Sequence, residues 1–325
     1  MRILVIRFSS IGDIVLTSPV VRVLHEQLGA EVHFLTKPAF RELVAFNPHI
    51  HRVHLLPERF GDLTRNLRVA RFDAVVDLHH NLRTWRLRAA LRHPRWYRFQ
   101  KLNWEKWLLV RLKLDRLPNV HIVDRYLAAA APLGVQNDGR GLEFFVDSAV
   151  QITHPVLQNP FLAVAMGAAH ATKQIPVDQL EQALAPLNLP IVLLGGPNDR
   201  KRAVELVRRL NGKEVVDFCG RLSLSESAYV LQRARHLLSP DTGLMHLAAA
   251  LRIPISSIWG NTVPEFGMYP YRPDDPGAFS IHQVGELSCR PCSKIGFAEC
   301  PRGHFRCMRD QEPEKWLLSL PRNIR

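Results

Sequence analysis

The chain has 325 residues, 46% of them hydrophobic, and carries 43 Lys and Arg against 30 Asp and Glu, a formal charge of +13. That length exceeds one ordinary domain and suits two, and the hydrophobic fraction excludes a disordered polyelectrolyte. No run of about 18 apolar residues occurs, so no membrane span is expected.

In chain order the pattern is strand then helix, repeated. Residues 2–8 read as a strand interrupted by Arg7, without a signal-peptide cleavage pattern. A cytosolic location is therefore expected, with the five cysteines as thiols or metal ligands rather than disulfides. Pro19 opens a helix running to about Leu28. Glu31–Leu35, Val53–Leu56 and Phe72–Leu78 are predicted strands, with a short helix ending before Pro48. Helical spacing returns in Leu87–Leu91, Leu108–Leu112 and Val123–Ala131, and Leu142–Val146 reads as a further short strand. After a polar segment at 147–160 a second series begins. Its predicted strands are Phe161–Met166, Ile191–Leu194, Val215–Phe218, Leu237–Leu238 and Ile255–Trp259. Its helices are Val177–Leu187, Lys201–Leu210, Ser225–Arg235 and Leu244–Leu251. Two doubly wound α/β units in tandem put a ligand cleft between them, facing the carboxyl ends of both sheets.

The polar turns fall at those carboxyl ends. Ser9-Ser10-Ile11-Gly12-Asp13 follows the first strand; Gly12 permits a tight turn, and Asp13 is either a plain turn residue or a carboxylate placed to take a proton from an attacking hydroxyl. Gly167-Ala168-Ala169-His170-Ala171-Thr172-Lys173 is a small-residue turn with a lysine beyond it, able to hold a diphosphate through backbone N–H groups and one point charge. Gly195-Gly196-Pro197-Asn198-Asp199 either caps the next helix or meets a ribose. Pro240-Asp241-Thr242-Gly243 turns the chain into a helix start, where free N–H groups and the helix dipole favour an anion. There Asp241 and His246 can face a ligand, or Asp241 or Thr242 simply caps the helix. No G-x-G-x-x-G and no P-loop order occurs, so a dinucleotide cofactor has no support, and without a D-x-D a carboxylate-held metal on a diphosphate is not suggested.

Charge concentrates between residues 83 and 116. Arg83, Arg86, Arg88, Arg92, Arg95, Arg98, Lys101, Lys106, Arg111, Lys113 and Arg116 face only Glu105 and Asp115, with Trp85, Trp96, Tyr97, Trp104 and Trp107 interleaved. Nucleic acid, an anionic membrane or an acidic glycolipid fits such a stretch, and so does a solvated helix face. Cys289, Cys292, Cys300 and Cys307, with His304 nearby, either hold a tetrahedral zinc or form a loop of loosely paired thiols.

Several of these blocks in combination resemble glycosyltransferase family 9, the lipopolysaccharide heptosyltransferases. They are Ser9–Asp13 with Thr17-Ser18-Pro19, Asp77–Arg83, Gly195–Asp199, Asp241–Ala249, Gly260-Asn261-Thr262-Val263-Pro264 and the cysteine segment. The resemblance implies a GT-B fold: two Rossmann-like domains facing a central cleft, an acceptor domain at 1–155, a nucleotide-sugar domain at 156–310 and a C-terminal helix at 311–325 crossing back to the first. It implies inverting transfer of heptose from ADP-heptose to the acidic lipopolysaccharide inner core by a monomer at the cytoplasmic face of the inner membrane. No cofactor, catalytic metal or nucleic acid is expected. Asp13 would be the base and Lys173 would meet the donor phosphates. Gly167, Thr172, Asp241, Thr242, Gly243 and His246 would contact diphosphate or sugar, Asn198 or Asp199 the ribose, and Phe218–Gly220 the adenine. Ser10, Gly12, Asn81 and Arg83 would meet the acceptor. Ala168, Ala169 and Ile175 depart from the family pattern, which usually has polar residues and a Trp there. Another sugar-nucleotide enzyme on this fold, such as an epimerase, and an inactive polyanion- or membrane-binding protein are the competing expectations.

Overall fold

The computed structural model describes residues 1–91, 94–318 and Leu320; Arg92, His93 and Ser319, and the chain after Leu320, lie outside the described residues. The chain divides into two units, Met1–Lys101 with Val120–Asp147, and Leu102–Asn119 with Ser148–Arg325.

In the first unit, β1 (Arg2–Ile6) leads through α1 (Ile11–Val15) and α2 (Ser18–Leu28) to β2 (Glu31–Thr36), then β3 (Arg52–Leu55), α3 (Phe60–Ala70), β4 (Ala74–Asp77), α4 (Leu82–Leu91) and β5 (Arg95–Arg98). The chain next forms α5 (Asn103–Leu112), which belongs to the second unit, and returns as α6 (Ile122–Ala130). The sheet is parallel with order β3-β2-β1-β4-β5. Both faces are covered by helices, which is why β1 and β4 are nearly continuous apolar runs. Leu4, Ile6, Phe8, Leu35, Val75 and Leu87 share one core cluster. α2 ends at Gly29, whose φ of 58° is the left-handed conformation that a glycine adopts at lowest cost. Arg22, 1% exposed, is neutralised by Asp138 at 2.7 Å and Glu143 at 2.9 Å. Leu142–Val146, expected as a strand, is not one: the Glu143 N–H donates to Ser18 Oγ instead of a ladder.

The second unit runs β6 (Leu162–Ala165), α7 (Val177–Leu184), β7 (Ile191–Leu194), α8 (Arg200–Arg209), β8 (Val215–Asp217), α9 (Leu224–Leu231), β9 (His236–Pro240), α10 (Gly243–Ala250), β10 (Ile255–Trp259), β11 (Phe279–Gln283) and α11 (Arg306–Arg309). Its parallel sheet has order β11-β10-β9-β6-β7-β8. The expected final helix is a short 3₁₀ turn, Pro313–Lys315, and Trp316, Leu317 and Leu320 pack into this unit's own core with Leu162, Leu184 and Ile258. The units therefore depart from the expected 1–155, 156–310 and 311–325 division. Asp147 closes the first, and residues 102–119 join the second through Leu109, which packs on Val263 and Phe266.

Candidate functional site

In the second sheet the chain builds outward from β6 to β7 and β8, then crosses to the other side of β6 for β9, β10 and β11. Loops leaving the carboxyl ends of β6 and β9 thus diverge, and the crevice at this switch point is where open α/β sheets bind ligands. The segment 167–173 follows β6, and Asp241-Thr242-Gly243 follows β9. Lys173 Nζ joins the two loops, 2.6 Å from Asp241 Oδ2, and Thr262 Oγ1, from the loop after β10, donates to the same oxygen at 2.9 Å. Asp241 is thus held by side chains from neighbouring loops. Thr242, the N-cap of α10, makes no side-chain capping bond, so the capping alternative does not account for these residues. The positive end of α10 opens beside the Lys173–Asp241 pair.

The other donor-side expectations divide. Asn198 is exposed. Asp199 turns inward, 7% exposed, its Oδ2 accepting from the Gly196 N–H at 2.8 Å. It occupies space that only glycine leaves free: a Cβ on Gly167 would lie 2.1 Å from Asp199 Oδ2. Gly167 and Asp199 therefore shape the loops from within. Thr172 is buried and its Oγ1 accepts from the Phe297 N–H at 2.8 Å, while its own N–H donates to the Phe297 carbonyl. Its side chain ties the 167–173 turn to the cysteine-bearing loop, so a phosphate contact through that hydroxyl is replaced by a structural one. His246 lies 2% exposed inside α10. Gly220, at φ 66°, donates its N–H to the Gly195 carbonyl and sets Phe218–Gly220 against the Gly195–Pro197 turn.

In the first unit the corresponding switch point lies between β1 and β4. Asp13 stands in the third position of α1 with Ser10 as N-cap, accepting from Ser10 Oγ at 2.8 Å and Ser10 N at 3.2 Å. Its other oxygen meets Arg7 at 2.6 Å. Burial pushes this carboxyl up, but Arg7 and the Ser10 bonds outweigh it and hold it below the usual carboxylate range. Arg7 also donates to the carbonyls of Ser9, at 2.9 Å, and Leu78, at 2.5 Å, so one guanidinium ties the two switch-point loops together. His79 is pushed down to about 4 by burial and then by Arg7 and Lys101, and stays neutral at pH 7. Gly12 is buried in α1 and Ser10 is exposed. Asn81 caps α4, its Oδ1 accepting from the N–H groups of Arg83 and Thr84 at 2.9 and 3.1 Å, which turns that oxygen away from an acceptor; Arg83 is exposed.

Two arginines outside the expected site tie its loops together. Arg7 is the charge that interrupts the first apolar strand, and that interruption is the signal that marks it. Arg290 clamps the loop after β10, donating to the carbonyls of Gly260, Thr262 and Val284. The basic stretch is shared between units: β5 and α4 lie in the first, α5 in the second. On α5, Trp104 and Trp107 stack with centroids 5.0 Å apart and remain 64% and 40% exposed. Cys289, Cys292, Cys300 and Cys307 are free thiols, and no three of them bring their sulfurs within ligand reach of one another. Among the described residues, no helix is long and apolar enough to cross a membrane.

The sequence profile of glycosyltransferase family 9 (heptosyltransferase) matches residues 60–296. Lipopolysaccharide heptosyltransferase 1 of Pseudomonas aeruginosa is 26% identical over 98% of this chain and 93% of its own length. Lipopolysaccharide heptosyltransferase 2 of Escherichia coli is 23% identical over 82% of this chain and 84% of its own. Among solved structures, E. coli ADP-heptose lipopolysaccharide heptosyltransferase II superposes with a TM-score of 0.70 at 18% identity, covering 97% of this chain and 96% of that one. E. coli heptosyltransferase WaaC with ADP gives 0.64 at 21% identity, covering 86% and 92%. With two parallel α/β units whose polar loops gather at the carboxyl ends, this chain belongs to glycosyltransferase family 9, the heptosyltransferase family, and has the GT-B fold.

Proposed function

We propose that the protein transfers heptose from ADP-heptose to the lipopolysaccharide inner core, inverting the anomeric centre, at the cytoplasmic face of the inner membrane. The observation that carries this reading is the Lys173–Asp241 pair, set at the switch point of the second sheet beside the N-terminus of α10. A diphosphate there meets main-chain amides, the helix dipole and one ammonium, so the charge that grows on the leaving group needs no metal. The acceptor hydroxyl attacks the anomeric carbon, the bond to the diphosphate oxygen breaks, ADP departs, and the hydroxyl proton passes to Asp13. Arg7 and Ser10 keep Asp13 ionised and oriented for that proton. Asn198 is the candidate for ribose, and Arg83 and Lys101 are candidates for the anionic acceptor. The exposed Trp104–Trp107 pair, with Lys106 and Arg111 on the same helix, suits an anionic leaflet, where each basic residue contributes about 1 kcal/mol.

Calorimetry with ADP, UDP and GDP, followed by product analysis with ADP-heptose and a heptose-free lipopolysaccharide acceptor, tests this. ADP preference and an inverted heptoside are expected, and Asp13→Ala should abolish transfer while leaving ADP affinity within about twofold. Turnover of Asp13→Ala within tenfold of wild type removes Asp13 from the base role, and binding of polyanions without any nucleotide affinity overturns the enzyme reading.

A further inference from the structure

On the first sheet, away from the β1–β4 switch point, three donors gather that the transfer reaction does not use. Glu31 and His33 stand two apart on β2 and so point to one face. His51 joins them from the residue before β3, placed by its N–H bond to the Val32 carbonyl at 2.8 Å. Glu31 Oε1 lies 3.1 Å from His33 Nε2 and 3.4 Å from His51 Nε2, and all three ligand atoms fall within 4.8 Å of one another. Metal–nitrogen and metal–oxygen bonds of about 2.0–2.2 Å at tetrahedral angles put neighbouring ligands about 3.3 Å apart. The two carboxylate–imidazole separations bracket that edge length.

The surroundings hold the donors in place. His33 Nδ1 is 2.8 Å from His54 Nε2, and the Phe72 ring packs near-perpendicular to the His33 ring with centroids 5.0 Å apart. This is the outer hydrogen bond that fixes the tautomer and orientation of a ligating imidazole. With Nε2 carrying a proton, His33 donates to Glu31 and accepts from His54. With a metal on Nε2 the proton shifts to Nδ1 and His54 becomes the acceptor. Arg2 Nε donates to the other Glu31 oxygen at 3.0 Å, while its Nη1 turns to the Ala70 carbonyl, leaving Oε1 for the imidazoles. His33 has a 5% exposed side chain and His51 a 61% exposed one, so the cluster is anchored on one side and open to solvent on the other.

We infer that Glu31, His33 and His51 form a binding site for a borderline divalent transition ion of the zinc class, which fastens the edge strand β3 to β2. Two imidazole nitrogens and one carboxylate oxygen suit zinc, nickel or copper and disfavour magnesium and calcium. The fourth position faces water. The site is separate from the transfer chemistry.

The test is titration of chelator-treated full-length protein with Zn2+ by calorimetry, and with Co2+ by absorption spectroscopy, on wild type, His51→Gln and Glu31→Gln. His51 is exposed, so His51→Gln leaves the fold intact, and circular dichroism checks this. One equivalent is expected in wild type, with Co2+ giving weak visible bands and no intense thiolate charge-transfer band. His51→Gln and Glu31→Gln should each weaken binding at least tenfold by the ligand count. Zn2+ should raise the melting temperature of wild type and not of His51→Gln. Equal affinity of wild type and His51→Gln overturns the site, and so does a thiolate band, which would place the metal on the cysteines.

Discussion

Replacing Lys173 by Met tests the proposed donor site at its most concentrated charge. The side chain is part of a 2.6 Å pair with Asp241, and both side chains are largely buried, 15% and 12% exposed. At about 4 Å and an effective dielectric of about 20, a unit charge and a phosphate charge interact by ~4 kcal/mol. Desolvation of the diphosphate offsets part of that, so a net loss of ~2–3 kcal/mol is expected, or roughly 30–150-fold in Kd for ADP. The substitution also leaves Asp241 as an uncompensated carboxylate beside the incoming diphosphate. The double variant Lys173→Met/Asp241→Asn should therefore recover about five- to tenfold of the loss, since neutralising the second charge removes the repulsion. Calorimetry with ADP on wild type, both single variants and the double variant completes the cycle. If Lys173→Met binds ADP within about twofold of wild type, or if Asp241→Asn adds nothing to it, the switch point is not where the diphosphate sits.

Arg7 depresses the Asp13 carboxyl, so with Asp13 as the proposed base the acid limb of kcat/KM should lie below the range of an ordinary aspartate. Arg7→Met removes that support and should move the limb to higher pH, which a pH–rate profile reads; an unmoved limb refutes the coupling. Arg22→Ala strands Asp138 and Glu143 as partly buried carboxylates and should lower stability by about 3 kcal/mol, measured by urea denaturation, with the loss concentrated in the first unit's transition. Burial pushes the Cys219 thiol up, and burial with neighbouring cysteines pushes Cys307 up to about 12. Under native iodoacetamide treatment at pH 8 these two should stay unmodified while Cys289 and Cys300 react, as peptide mass spectrometry reports.

Strands covered by helices on both faces were legible because such strands must be apolar along their length. Ile191–Leu194 and Ile255–Trp259 match the expected spans, and Glu31–Thr36 extends its expectation by one residue. The strands missed, Arg95–Arg98 and Phe279–Gln283, lie at sheet edges, where one neighbour is absent and polar residues are tolerated. Helix α3 keeps Phe60, Leu63 and Leu67 on one face at helical spacing, with Arg65 and Arg68 exposed on the other, but only Leu63 and Leu67 are buried and so short a stripe gives a weak signal. The positions of Asp13, Lys173 and Asp241 in turns after strands were readable from the sequence. The inward turn of Asp199 depends on the space left by Gly167, and the occupation of Thr172 depends on Phe297, 125 residues away. No local pattern encodes a partner that distant.

Helix α5 is made early and needed late. Leu109 rests on Val263 and Phe266, and Lys113 Nζ donates to the carbonyls of Cys289 and Pro291. At synthesis rates of about 5–20 residues per second, the roughly 150 intervening residues take on the order of 10–30 s to emerge. Through that interval the tryptophan-bearing helix leaves the ribosome without the surface it will rest on, so nascent chains stalled before residue 263 should recruit chaperones that chains stalled after residue 291 no longer hold. For the same reason no single cut in this polypeptide releases a whole second domain.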